Sequence, residues 1–264
     1  MDRALKFGSE DGLAFELDWT ASAGARTSAE LSWGKLLVSV GGIPVWGRHP
    51  QSREVVGIEW TWIELLEHLA DVWSFLEFEE GNPMGVDARP DRVLAHAEER
   101  WLDVDDGRLA AEQRGLFRWA RSHDLSQGLR GIRVPELWLQ RRGNDVRIVS
   151  GGVDVMSPLA AALAALSALG DAIAKRVANA DGRGRYAAAQ WAERGAIEPE
   201  RFIAIATGLN ERQLRHLAPD NDVETFWELG GDPEPTELLA AARMAGAGLP
   251  PVAMKRLLEA VRSC

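Results

Sequence analysis

Cysteine is nearly missing from this 264-residue chain, which carries one, at Cys264. A lone thiol forms no internal disulfide, and that suits a reducing compartment. Histidine is scarce too: His49, His68, His96, His123 and His216. No two of these stand at the spacing of a metal-ligand pair or of a nucleophile and its base. Zinc sites draw on about three or four protein ligands, often as local pairs such as two His four residues apart on a helix face. The sequence has no such pair, and no glycine loop followed by Lys-Ser or Lys-Thr to cradle a phosphate. Its longest apolar stretch, Leu159 to Leu169, is alanine-rich and well short of the about 20 residues that cross a bilayer. The opening MDRALKFGSEDG has no apolar core of a secretory signal. These absences lead us to expect a soluble cytoplasmic protein with no membrane partner, no cofactor, no bound metal and no complete catalytic motif.

What is present is the composition of a folded protein: 46% hydrophobic and 27% charged residues, enough for one large domain or two ordinary ones. A net charge of −10 opposes nonspecific attraction to nucleic acid or to anionic membrane. Tryptophan is abundant and uneven. Nine of the 11 precede residue 140, and only Trp191 and Trp227 follow. The later part is rich in alanine instead. The expected fold class is α+β, with a Trp-rich α+β domain over residues 1–152 and a helical bundle over 153–264.

Within 3–61 the segments FELDW and AELSWGKLLVSVGGIPVWG alternate apolar and polar residues between glycines and Pro44, the pattern of strands. Leu31, Trp33, Leu36, Val38 and Val40 line one buried face if a bulge falls near Gly34. Strand tryptophans pack inward or form a contact surface, and Trp33, Trp46, Trp60 and Trp138 are the candidates for binding a protein partner. TWIELLEHLADVWSFLEF reads as a helix whose apolar stripe is Trp62, Leu65, Leu66, Leu69, Val72, Trp73 and Leu76. Glu64, Glu67, His68 and Asp71 fall on its other side. Glu64 and His68 lie one turn apart, yet two ligands do not make a metal site.

Between Glu77 and Asp106 ten acids face three arginines. This is either a patch for a basic partner or a solvated stretch with helix caps. A helix over about 108–121 then breaks at His123-Asp124. Adjacent His and Asp side chains usually diverge, so the pair reads first as a turn closure. A dispersed hydrolase site using His68, His123 and nearby carboxylates is the enzyme alternative. PELWLQRRGNDVRIV follows as a strand pair turning at Gly143-Asn144.

From Pro158 onward every segment looks helical, with interruptions at Gly170 and at Asp181 to Gly184. Further helices fit Arg185–Arg194, Pro199–Ala206, Glu211–Leu217, Asp222–Leu229, Pro235–Ala245 and Pro251–Arg262. Over 199–217, Ala204, Gly208 and Leu214 have the spacing of a helix-turn-helix, or of any helical hairpin. In the first case Asn210 caps the second helix, and Arg212, Gln213, Arg215 and His216 are the candidates for contacting DNA. Asp220, Asp222 and Glu224 just beyond would repel phosphate.

Several of these pieces together resemble a known family. They are Phe117 to Leu125 with its His-Asp-Leu, Gly131, Pro135-x-Leu137-Trp138-Leu139, the Arg141 to Asn144 turn and Glu237 to Gly246. The first four are similar to the N-terminal region of long bacterial proteins of the ImmA/IrrE metallopeptidase family, and Glu237 to Gly246 is similar to the helix joining that region to the peptidase. Their peptidase domain carries a His-Glu-x-x-His zinc helix, which this chain lacks, so the activity does not carry over. The resemblance implies the non-catalytic part, standing alone or preceding a peptidase, in stress, prophage or mobile-element regulation. The function expected is a regulatory recognition module that binds protein, with DNA binding as the alternative.

Overall fold

Alternation of buried and exposed side chains along β3 (Trp33–Val40) organises the main sheet: Gly34, Leu36, Val38 and Val40 are inward, while Trp33 and Lys35 are outward. The computed structural model describes residues 4–20, 23–47, 54–79, 81–82, 88–93, 95 and 116–194. The chain divides into two units, residues 1–77 with 122–195, and residues 78–121 with 196–264. The fold class is α+β.

In the first unit, β1 (Leu5–Gly8), β2 (Leu13–Trp19), β3 and β4 (Ile43–Trp46) run antiparallel in that order. A fifth strand, β5 (Ile58–Thr61), pairs with the first half of β3, placing Glu59 opposite Lys35 and Thr61 opposite Trp33. Gly41 and Gly42, with φ of +55° and +73°, close the β3–β4 turn in the left-handed region that two-residue hairpins require. A second antiparallel sheet follows as a meander of β6 (Trp138–Arg142), β7 (Asp145–Ser150) and β8 (Val153–Pro158).

Helices cover one face of the main sheet. The α1 turn (Ser28–Leu31) begins with a capping box in which Thr27 and Glu30 satisfy each other's backbone N–H groups. Next comes α2 (Ile63–Phe78), which buries Leu65, Leu66, Leu69, Val72, Trp73 and Leu76, with Trp62 buried just before its start, the stripe expected from its spacing. His68 is buried as well, against the expectation of a solvated face, because it packs on Gly128, where even a Cβ would come within 2.7 Å. Then α3 (Leu159–Val177) lies on β1 and β2, and α4 (Gly182–Glu193) pairs with α3. Their apolar faces meet Leu13, Phe15, Leu17, Leu36, Val38 and Val40 in one core.

Four expectations are corrected. Leu31 lies in α1 and Trp33 is exposed, so neither joins the buried face of β3. β2 and β3 stay in register through Gly34, and the irregularity falls between Val38 and Ser39 against β4. The boundary expected at residue 152 lies inside the β7–β8 hairpin: β8 hydrogen-bonds along β7, and α3 packs on the N-terminal sheet. Finally, α3 runs straight through Gly170, where the missing side chain makes room for the Trp191 ring.

The second unit is described over a short span. Helical residues 116–121 bury Leu116 and Trp119. Arg118 grips Glu79 through two hydrogen bonds of 3.0 and 2.7 Å, and the Trp119 indole donates to the Gly81 carbonyl. Glu79 is 1% exposed, so this member of the acidic stretch is a buried partner and not a solvated charge.

Candidate functional site

Burial separates the structural tryptophans from Trp33. Trp46 donates to the Pro135 carbonyl at 2.7 Å, Trp62 to the Gly34 carbonyl, Trp138 to Glu136 and Trp191 to Asp171. All four rings are buried, and a buried indole N–H usually has an acceptor. Trp46, at 1% exposure, and Trp138, at 8%, therefore have no ring surface to offer a partner, which corrects their candidacy. Both point from their strands into packed interior, in stretches where successive residues are buried.

Trp33 differs, with 37% of its surface exposed. It opens β3 on the outward face, and its ring centroid is 6.0 Å from that of Trp60, the planes inclined at 40°. Trp60 is half-buried, packs over Gly131, and carries an indole N–H with no acceptor. Among the described residues no hydrogen bond holds that ring, which packs against the core and over Gly131.

Beside this pair stands Glu59 of β5. Its Oε1 accepts from the Trp33 indole at 3.1 Å and from the Thr20 hydroxyl at 3.2 Å. Among the described residues its other oxygen has no hydrogen bond, and Lys35, opposite in register, forms no ion pair with it. The two donors turn the carboxylate toward Trp33 and away from the lysine. Three other indoles among the described residues carry one of the chain's own cations over a face. The Arg176 guanidinium lies 5.6 Å from the Trp19 ring centre, and that of Arg194 lies 3.7 Å from Trp191 and 4.9 Å from Trp73. Among the described residues Trp33 has no such cover.

Glu59 and Thr20 were missed in reading the sequence. Their joint role depends on β5 joining β3, a pairing between segments more than 20 residues apart that no local pattern specifies.

The other candidates are structural or lie elsewhere. His123 and Asp124 are both buried, but Asp124 serves the backbone. It caps the short 3-10 turn Leu125–Gly128 by accepting from Ser126 N and Oγ, and it also takes Gln127 Nε2 and, at 2.9 Å, Leu137 N. His123 Nδ1 meets Ser122 Oγ at 2.9 Å, not the aspartate beside it in the chain. Glu64 accepts from Arg130 N, and Glu67 holds Arg183 through two contacts of 2.7 and 2.6 Å. These carboxylates brace α2 to neighbouring elements. Among the described residues no group of three or more His, Cys, Asp or Glu stands ready to hold a metal ion, and no helix is long and apolar enough to cross a membrane. Arg212, Gln213, Arg215 and His216, with the whole 199–217 hairpin, lie outside the described residues, as does most of the acidic stretch.

Compared with protein-family models, with curated proteins and with solved structures, the chain matches none.

Proposed function

We propose that this chain is a cytoplasmic recognition module that binds a protein partner through the surface centred on Trp33 and Trp60. The regulatory setting is that implied by the resemblance to the N-terminal region of ImmA/IrrE-family proteins. The observation that carries the reading is an exposed tryptophan packed beside a second one whose indole donor has no acceptor. Aromatic side chains dominate binding energy at protein interfaces because each buries a large rigid area at small entropic cost. Candidate polar groups of the first unit support the same reading, since Asp124, Glu64 and Glu67 are committed to backbone or to arginine.

Photo-crosslinking tests this. With benzoylphenylalanine in place of Trp33, irradiation in cells should yield a discrete adduct with one protein. The same group at Tyr186, exposed on α4, should yield none. Adducts absent at 33, or identical at both positions, would refute the assignment.

A further inference from the structure

We infer that the Trp33–Trp60 surface takes a cationic side chain, an arginine or lysine presented by the partner, with Glu59 as its counter-ion. This rests on the recognition reading above and specifies the chemistry of the occupant.

Three features point to a cation. The first is the uncovered indole face of Trp33. Tryptophan attracts a cation placed within about 6 Å of the ring centre. This chain satisfies that attraction at Trp19, Trp73 and Trp191 with its own arginines. Trp33 presents the same kind of face to solvent, with the partly buried Trp60 packed beside it at a tilt of 40°.

The second feature is the placement of Glu59. Hydrogen bonds from Trp33 and Thr20 fix one carboxylate oxygen at the edge of the indole, leaving the second for an incoming donor. A guanidinium stacked on Trp33 is then close to a carboxylate that needs no reorganisation to receive it. The third is charge. The outward face here carries Asp18 and Glu59 around Lys35, and the chain as a whole carries −10. That field favours approach of a basic segment. Lys35 is the one opposing charge on the adjacent strand positions, and its lack of an ion pair with Glu59 leaves the carboxylate available.

The test uses the full 264-residue chain and two short peptides, Gly-Arg-Gly-Arg-Gly and its citrulline counterpart. Citrulline keeps the shape of arginine and removes its charge. Binding is read from the indole N–H resonance of Trp33 in a nitrogen–proton correlation spectrum, identified by its loss in Trp33→Phe. The arginine peptide should shift that resonance saturably and bind about three- to tenfold more tightly than the citrulline peptide, the product of an exposed cation–π contact and an exposed ion pair. Glu59→Gln should weaken the arginine peptide about two- to fivefold. Lys35→Ala, which removes the competing ammonium, should strengthen it.

Equal binding of the two peptides, or weaker binding in Lys35→Ala, would overturn cation selectivity while leaving a binding surface in place. No shift with either peptide overturns the cation site also. If position 33 still crosslinks a partner in cells, recognition then stands on other contacts. If it does not, both readings fall.

Discussion

Replacing Gly170 with alanine sets two known effects against each other inside α3. In a helix interior alanine is favoured over glycine by about 1 kcal/mol. Here, however, the added Cβ would lie 2.1 Å from Trp191 Cζ2 and 2.5 Å from Cη2, where carbon atoms normally sit about 3.5–4.0 Å apart. The ring is not free to retreat. Its N–H donates to Asp171 at 2.7 Å, Arg194 lies over one face at 3.7 Å, and Trp73 meets it edge-on at 5.3 Å. Relieving the overlap therefore strains α3 against α4 or gives up some of these contacts. Overpacking of this kind costs about 1–3 kcal/mol, and a lost hydrogen bond adds about 1 kcal/mol. The net expectation for Gly170→Ala is a loss of about 1–3 kcal/mol, despite the better helix former.

Urea denaturation followed by circular dichroism measures this, with Gly182→Ala as the control, because a Cβ at 182 meets nothing within 4 Å. The control should be neutral or slightly stabilising. Adding Trp191→Phe to Gly170→Ala should return part of the loss, since the clashing atoms belong to the six-membered ring of the indole. A Gly170→Ala protein as stable as the parent would refute the claim that close approach of α3 and α4 dictates this glycine.

Two further outcomes follow from the same contacts. Asp124→Ala should cost about 2–4 kcal/mol, from the buried Leu137 N–H left without an acceptor and the lost cap of the 3-10 turn; an unchanged denaturation midpoint would show that Asp124 is held for something other than structure. Acid should loosen the α1 and α4 starts. Backbone N–H groups of Arg26 and Thr27 hold the Glu30 carboxyl below its ordinary pKa, and those of Gly184 and Ser28 do the same for Asp181. Depressed folded-state values mean that this stabilisation is complete above the ordinary carboxylate range and is lost as the pH falls below about 4. Asp181→Asn should flatten the acid limb of the stability profile, and an unaltered limb would count against the caps.

Legibility in the sequence tracked the range of the interactions concerned. The α2 stripe from Trp62 to Leu76 was readable because helical spacing alone puts those side chains on one face. The β6–β7 hairpin was readable from alternation around Gly143-Asn144. Two local signals were present and passed over. Thr27-Ser28-Ala29-Glu30 is a capping box within a stretch read as strand. Gly151-Gly152 followed by Val153-Asp154-Val155 is a second hairpin where a domain boundary was expected. The composition shift near residue 150 was real but marked no boundary, because alanine-rich α3 supplies small side chains where a helix lies close on a sheet.

Chain periodicity, then, settled the α+β class and most of the core, since a side chain's face follows from its neighbours at a spacing of 2 or 3.6 residues. Which tryptophans stayed at the surface was decided only by folding. Trp33, Trp46, Trp60 and Trp138 all sit in antiparallel strands. Pairing of β3 with β5 left Trp33 outward beside Glu59, whereas Trp46 and Trp138 were closed in by segments distant in sequence. Burial is a property of what arrives from elsewhere in the chain, and no window around a residue contains that information.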